Sequence, residues 1–337
     1  MEAYLYDKSD NREVVCRLCR HRCTIRDGRR GICGVRKNRG GVLETLVYDR
    51  VIARHVDPIE KKPLFHFHPG SLSYSVATVG CNFRCRFCQN ADIAQMPRDQ
   101  EGRIAGSAAA PDDIVAAAKN ANCRSIAYTY TEPTVFFELA YDIARLAHPE
   151  GLANVFVTNG YLSADALHMI APFLDAANVD VKAFNEDFYR RYCGASLEPV
   201  KETLVLMKQL GVLVEVTTLI IPGLNDDPGE LASLAAFLVD ALGPETPWHI
   251  SRFHPTYQLT DRPATPLKSL LMARDLGLKA GLRYVYTGNV PGQEGENTFC
   301  YACGKAVIER RGFQIKRRSL VNGCCGFCGA PIDGSGL

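Results

Sequence analysis

The chain has 337 residues, 47% apolar and 23% charged, with 39 Lys and Arg against 37 Asp and Glu for a formal charge of +2. That balance excludes a disordered polymer, and the length allows one large domain with appendages, or two domains. The longest apolar-plus-small run, Leu231 to Val239, is far shorter than the ~20 residues of a membrane span. The acidic start, with Glu2, Asp7 and Asp10, does not resemble an export signal, so a cytoplasmic, membrane-free protein is expected.

In chain order, residues 1–70 read as a basic, cysteine-bearing module with little periodicity. From residue 72 short β-rich runs alternate with helical patterns. Strands are expected at Leu72–Val79, Ser125–Tyr130, Asn154–Asn159, Asn178–Lys182, Val212–Ile221, His249–His254 and Arg283–Tyr286. Helices are expected at Asp112–Ala121, Thr134–Ala147, Ser163–Leu174, Val200–Leu210, Gly229–Leu242 and near 266–280. Such alternation predicts βαβ units and a parallel sheet. Right-handed crossovers leave an open doubly wound sheet or a full or partial (β/α) barrel. Polar residues collect where these strands end: Cys81, Thr131-Glu132-Pro133, Asn159-Gly160, Asp180 with Lys182, His254-Pro255 and Gly288-Asn289. Active sites of α/β folds lie at the carboxyl ends of strands, so one cleft lined by these residues is expected over 71–290. Residues 291–337 form a cysteine-bearing tail.

Fourteen cysteines are the outlying feature. In a chain that is not exported they point to metal or redox chemistry rather than disulfides. Cys123 and Cys193 stand alone and are expected to be small buried hydrophobes; the other twelve form three groups. Cys81, Cys85 and Cys88 form a Cx3Cx2C loop after the first expected strand. Three thiolates leave a four-iron cluster one ligand short, and an open metal position is where a substrate or cosubstrate binds. Cys300-x2-Cys303 with Cys325-x2-Cys328 has the paired-knuckle spacing of a zinc ribbon. Zinc is expected there, with an auxiliary iron–sulfur cluster or free thiols as alternatives, and Cys324 outside the ligand set. Cys16, Cys19, Cys23 and Cys33 supply four soft ligands at uneven spacing; zinc, an iron–sulfur cluster and reduced thiols all stay open, and His21 is expected to face solvent, with replacement of a cysteine in a zinc site as the alternative.

The Cx3Cx2C loop with an aromatic before its last cysteine resembles the signature of the radical S-adenosylmethionine (SAM) enzymes. Cys88-Gln89-Asn90, Asp180-Val181-Lys182, Ile221-Pro222-Gly223 and Phe253-His254-Pro255 are similar to the pyruvate formate-lyase activating branch. The run from Asp57 to Gly70, followed by Val79 to Cys85, resembles more closely still the radical enzyme of the AmmeMemoRadiSam system. The resemblance implies a partial (β/α)6-type barrel in which Cys81, Cys85 and Cys88 hold a [4Fe-4S] cluster whose fourth iron binds SAM. One electron, supplied by a donor such as flavodoxin or ferredoxin, then yields a 5′-deoxyadenosyl radical that abstracts hydrogen from a substrate. Residue by residue, Glu132 is implied to hold the SAM ammonium, Asp180 and Lys182 its polar groups, His254 its sulfonium and ribose region, and Asn159 the ribose. Tyr130 and Thr131 stand where the superfamily has two glycines. Memo-type and AMMECR-type proteins are implied as partners. No ferredoxin-like Cx2Cx2Cx3CP run is present.

Charge is uneven. Residues 16–39 hold nine Arg and Lys against one acid, and residues 305–318 hold six against one. These basic flanks suggest docking of an acidic partner or of nucleic acid. Two further readings remain: an activase that places a glycyl radical on another protein, and a zinc or iron–sulfur regulatory protein that binds nucleic acid. The latter leaves the polar residues at strand ends unexplained.

Overall fold

The computed structural model describes residues 1–290 and 294–337. The expected start of the tail at 291 lies outside the described residues. Eight strands form the central sheet: β1 (Ala53–Pro58), β2 (Leu72–Ala77), β3 (Ser125–Tyr128), β4 (Ala153–Thr158), β5 (Ala176–Asp180), β6 (Leu213–Ile220), β7 (Trp248–Arg252) and β8 (Val285–Gly288). They lie side by side in chain order, with β2 to β8 parallel and β1 antiparallel to β2. A doubly wound sheet would reverse its strand order at a switch point; this one never does, as in a barrel that has not closed. All seven expected parallel strands are present, shifted by a few residues. Helices Pro111–Asn120, Phe137–Ala147, Ala164–Ile170, Glu198–Gln209, Pro228–Phe237 and Leu267–Ala280 alternate with them. Ser163 and Asp227 cap two of these helices by accepting from the N–H of Ala166 and Glu230, which satisfies donors that a helix start leaves free. No described helix is long and apolar enough to cross a membrane.

Close packing fixes the helices on the sheet. Trp248 is fully buried and its indole N–H donates to Thr218. A Cβ on Gly277 would lie 2.9 Å from its ring, so only glycine lets that helix approach so closely.

Neither end of the chain is a detached module. The expected boundary at 70 does not separate two cores, because β1 pairs with β2 across it. Short strands Tyr6–Lys8, Val14–Cys16 and Thr24–Ile25 form a small antiparallel sheet. Val14, Leu18, Ile25, Val35 and Leu43 belong to the same buried cluster as Phe83, Val135 and Leu139. The run Asp57–Gly70 plugs the barrel from below: Ile59, Leu64 and Phe67 pack on Ala127, Val155 and Ala176 of β3 to β5. Buried Glu215 on β6 holds the plug by accepting from the N–H of Phe65 and His66 and pairing with His249 at 2.6 Å.

The tail docks beneath the last strands. Strands Thr298–Phe299, Ala306–Arg311 and Gln314–Arg318 make an antiparallel sheet, and Cys300, Val307, Cys325 and Ile332 pack on Phe65, Tyr284 and Tyr286. Arg310, 5% exposed, donates to the carbonyl of Phe65, and Arg283 pairs with Asp333.

Candidate functional site

The carboxyl ends of β3 to β7 and the loop after β2 open into one cavity of about 530 Å³. Its wall includes Cys81, Cys85 and Cys88 together with Glu132, Asn159, Asp180 and Lys182. Seven of the eight residues expected in the central site therefore meet in one place. His254 is the exception: it is exposed and not among the cavity-lining residues, because β7 ends at Arg252 and the chain turns away after buried Phe253. Ser251 and Asn289 line that side instead.

The cysteine loop is shaped by its neighbours. Gly80 has φ +102°, a conformation costly for any residue with a Cβ, and a Cβ there would lie 2.6 Å from Val35. The N–H of Phe83 donates to the Cys81 sulfur at 3.4 Å. Burial raises the thiol pKa of Cys81 and pushes that of Cys88 up to about 11. Cys85 moves the other way, its thiol pKa lowered chiefly by the neighbouring buried Cys193 thiol. Cys193 is thus buried, as its isolation suggested, but its carbonyl also braces the cysteine loop by accepting from the N–H of Arg84. Nothing in the local spacing shows this.

Glu132 is 2% exposed and already engaged. Its Oε1 accepts from the N–H and hydroxyl of Thr134 and the hydroxyl of Thr158, and its Oε2 from the N–H of Asn159. It therefore ties β4 to the loop after β3, and Oε2 retains a free acceptor direction for a ligand donor. Lys182 and Asp180 pair at 2.6 Å. Burial disfavours the ammonium, yet Asp180 raises its pKa above the usual lysine range. Two of its three N–H donors remain for a ligand. Asn159 donates to the Asn82 side chain at 2.8 Å.

Tyr130 replaces a glycine of the superfamily pattern yet takes φ +64°, so the turn is kept at a cost of roughly 1–2 kcal/mol. Its anchors explain how. The hydroxyl donates to Asp57, and Lys62 lies 4.6 Å above the ring. Lys62, 1% exposed, also pairs with Asp57 at 2.7 Å, and burial lowers its pKa to about 8. The plug thus reaches the cavity from below through Lys61, Lys62 and Pro63. From the tail, Phe313 at the hairpin tip reaches the same cavity.

The cavity suits a cluster and a polar cosubstrate. Its three thiols offer soft ligands, and the Thr217 hydroxyl on its wall is buried without a partner. The tail cysteines differ: Cys300, Cys303, Cys325 and Cys328 bring their sulfurs within 4.8 Å of one another, and Cys300–Cys328 and Cys303–Cys325 stand 3.7 Å apart. Tetrahedral Zn–S bonds of ~2.3 Å would place sulfurs ~3.8 Å apart, so the tail geometry fits a single zinc ion. Of the nine basic residues in the amino-terminal flank, Arg17 pairs within the chain with Asp7 and Asp165, Arg20 with Glu202, Arg26 with Glu13, and buried Arg36 with Glu138. Arg30 donates to the carbonyls of Gly34 and Gly102.

Comparison with known proteins agrees with this geometry. The chain is 48% identical to an uncharacterised protein of Methanocaldococcus jannaschii over 98% of both chains. A putative glycyl-radical enzyme activating enzyme of the same organism is 24% identical over 49% of this chain and 62% of its own. The fold resembles that of Streptococcus suis SuiB bound to S-adenosylmethionine, with a TM-score of 0.51 at 13% identity over 68% of this chain and 53% of that one. Residues 75–235, which carry the cysteine loop and the strand ends β3 to β6, match the model of the Radical SAM superfamily, so the chain carries a radical SAM domain.

Proposed function

We propose that this chain holds a [4Fe-4S] cluster on Cys81, Cys85 and Cys88 and binds SAM beside it, acting on a substrate that a protein presents. When bound, these groups supply a one-electron cleavage of SAM whose 5′-deoxyadenosyl radical abstracts hydrogen. The carrying observation is the shared cavity, in which three thiols face a buried carboxylate and a lysine. Lys182 offers two donors to a carboxylate, and Glu132 Oε2 one acceptor to an ammonium. The plug closes the barrel from below and keeps water out of the reaction volume.

On the tail side, Phe313 of the hairpin lines the cavity. Exposed Arg311 and Lys316 flank Phe313 there, which favours an acidic macromolecule. The resemblance over Asp57–Gly70 supports Memo-type and AMMECR-type proteins as that partner. Relation to a putative activating enzyme supports a second reading, glycyl-radical activation. The internal pairing of the amino-terminal arginines counts against nucleic-acid docking there. The test is anaerobic reconstitution followed by a deoxyadenosine assay under strong reductant: the wild-type chain should form deoxyadenosine and Cys85→Ala should form none. Absence of product from a wild-type chain carrying a full cluster would overturn the proposal.

A further inference from the structure

The geometry points to a second [4Fe-4S] cluster, held by Cys16, Cys19, Cys23 and Cys33. These four cysteines line one small cavity, separate from the central cleft. The chain folds around it in three pieces. Cys16 ends the strand Val14–Cys16 and its N–H donates to the carbonyl of Cys23 across the hairpin. Cys19 sits in the intervening turn, which Arg22 closes with φ +44°. Cys33 comes from the turn Gly31–Gly34.

Two observations separate this quartet from the tail quartet. First, the tail sulfurs converge to single-ion spacing; no three ligand atoms of the amino-terminal group do so among the described residues. Like Cys81, Cys85 and Cys88, these thiols stand around a volume instead of meeting at a point. A cubane interposes iron and sulfide between its thiolates, whereas a zinc ion draws its four ligands together.

Second, the wall of this cavity contains buried N–H donors without partners. Arg36 lines it and is 1% exposed. Its Nη2 donates to Glu138 at 2.5 Å, while its Nε and Nη1 have no partner. Buried N–H donors are nearly always paired, and of the polar side chains on this wall the Asn82 oxygen already accepts from Asn159 and the Thr134 hydroxyl already donates to Glu132. Cluster sulfides and cysteine sulfurs accept such hydrogen bonds, which also set the cluster's potential. The buried Nδ2 of Asn82, which lines this cavity too, is likewise without a partner.

Asn82 follows Cys81 directly, and its carbonyl faces His21 Nε2 at 2.9 Å. Gly80 packs on Cys33 and Val35: a Cβ there would also lie 3.2 Å from the Cys33 carbonyl oxygen. The two cysteine sites therefore share a wall. Four thiolates complete the second cluster, so it has no open iron for SAM.

The full chain is reconstituted anaerobically with iron and sulfide in the presence of zinc. The wild-type chain should carry about eight iron and eight sulfide. Cys81→Ala/Cys85→Ala/Cys88→Ala should keep about four of each, with an electron paramagnetic resonance signal that SAM does not change. Cys16→Ala/Cys33→Ala should lose about four iron and retain the SAM-responsive signal. About four iron and two zinc in the wild-type chain, iron-free triple variant, or cysteine pairs mapped as disulfides in the reconstituted chain would overturn the assignment.

Discussion

The two terminal cysteine quartets use the same ligands in opposite ways. In the tail, two Cx2C knuckles face each other across a short sheet and bring four sulfurs to single-ion spacing. At the amino end, a strand, a turn and a second turn hold four sulfurs around a cavity that a buried arginine enters. Spacing along the chain separates neither case from the other with certainty of metal; the scaffold does, by deciding whether the ligands converge or surround. The tail quartet sits at the rim of the molecule, with Cys303 and Cys328 exposed, whereas the amino-terminal quartet is walled by the core.

The largest expected difference is in dependence on metal. Structural zinc sites are worth about 10–16 kcal/mol in small modules. If the tail quartet holds zinc, chelating it from the full chain should therefore expose residues 294–337 to proteolysis while the barrel persists, because the tail's own sheet is small and Cys300 and Cys325 are themselves part of the apolar cluster that packs it on Phe65, Tyr284 and Tyr286. A tail that stays protected after zinc removal would erase the contrast.

Next comes the buried pair at the amino end. Glu138→Gln leaves the Arg36 charge buried and unpaired, a loss of about 3–5 kcal/mol. The Arg283–Asp333 pair that docks the tail is about a third exposed on both sides, so Asp333→Asn should cost about 1 kcal/mol or less. Chemical denaturation of the two variants compares them, and equal losses would contradict the account.

Much of the barrel was legible because periodicity alternates cleanly from Leu72 to Tyr286, and the three close-set cysteines mark the site without help from distant residues. Long-range partners were not legible. Arg36 meets Glu138, Asp57 anchors Tyr130, and Cys193 reaches Cys85 only once the strands are wound. His254 was misplaced because its motif marks a strand end, and the chain leaves the cavity two residues after β7. Residues 1–70 looked like a separate module because short strands and turns carry no periodic signal, yet their apolar residues belong to the barrel's core.

A smaller effect sharpens the view of the wall between the two cysteine sites. Gly80→Ala forces a Cβ to 2.6 Å from Val35 at a positive φ, a cost of roughly 1–3 kcal/mol. Its signature should be lower iron content as well as a lower melting temperature. Gly277→Ala, which crowds Trp248 at similar distance, should lower the melting temperature and leave iron unchanged.

The smallest expected effect is on tail docking with pH. His66 is 2% exposed, with Nδ1 facing the Asp333 carbonyl and Nε2 the Tyr286 hydroxyl. Burial lowers its pKa below the usual 6.5. The unfolded chain then takes up a proton before the folded one does, so this stability is complete above about pH 6.5 and declines as pH falls below it. His66→Gln should flatten that part of the profile in thermal melts; an unchanged profile would remove His66 from the account.

The most direct test of the central claim is a SAM titration of the reduced, reconstituted chain followed by electron paramagnetic resonance. If Cys81, Cys85 and Cys88 hold a cluster with one open iron facing Glu132, Asp180 and Lys182, SAM should change the wild-type spectrum and leave that of the Cys81→Ala/Cys85→Ala/Cys88→Ala variant unaltered. A wild-type spectrum indifferent to saturating SAM would contradict the account.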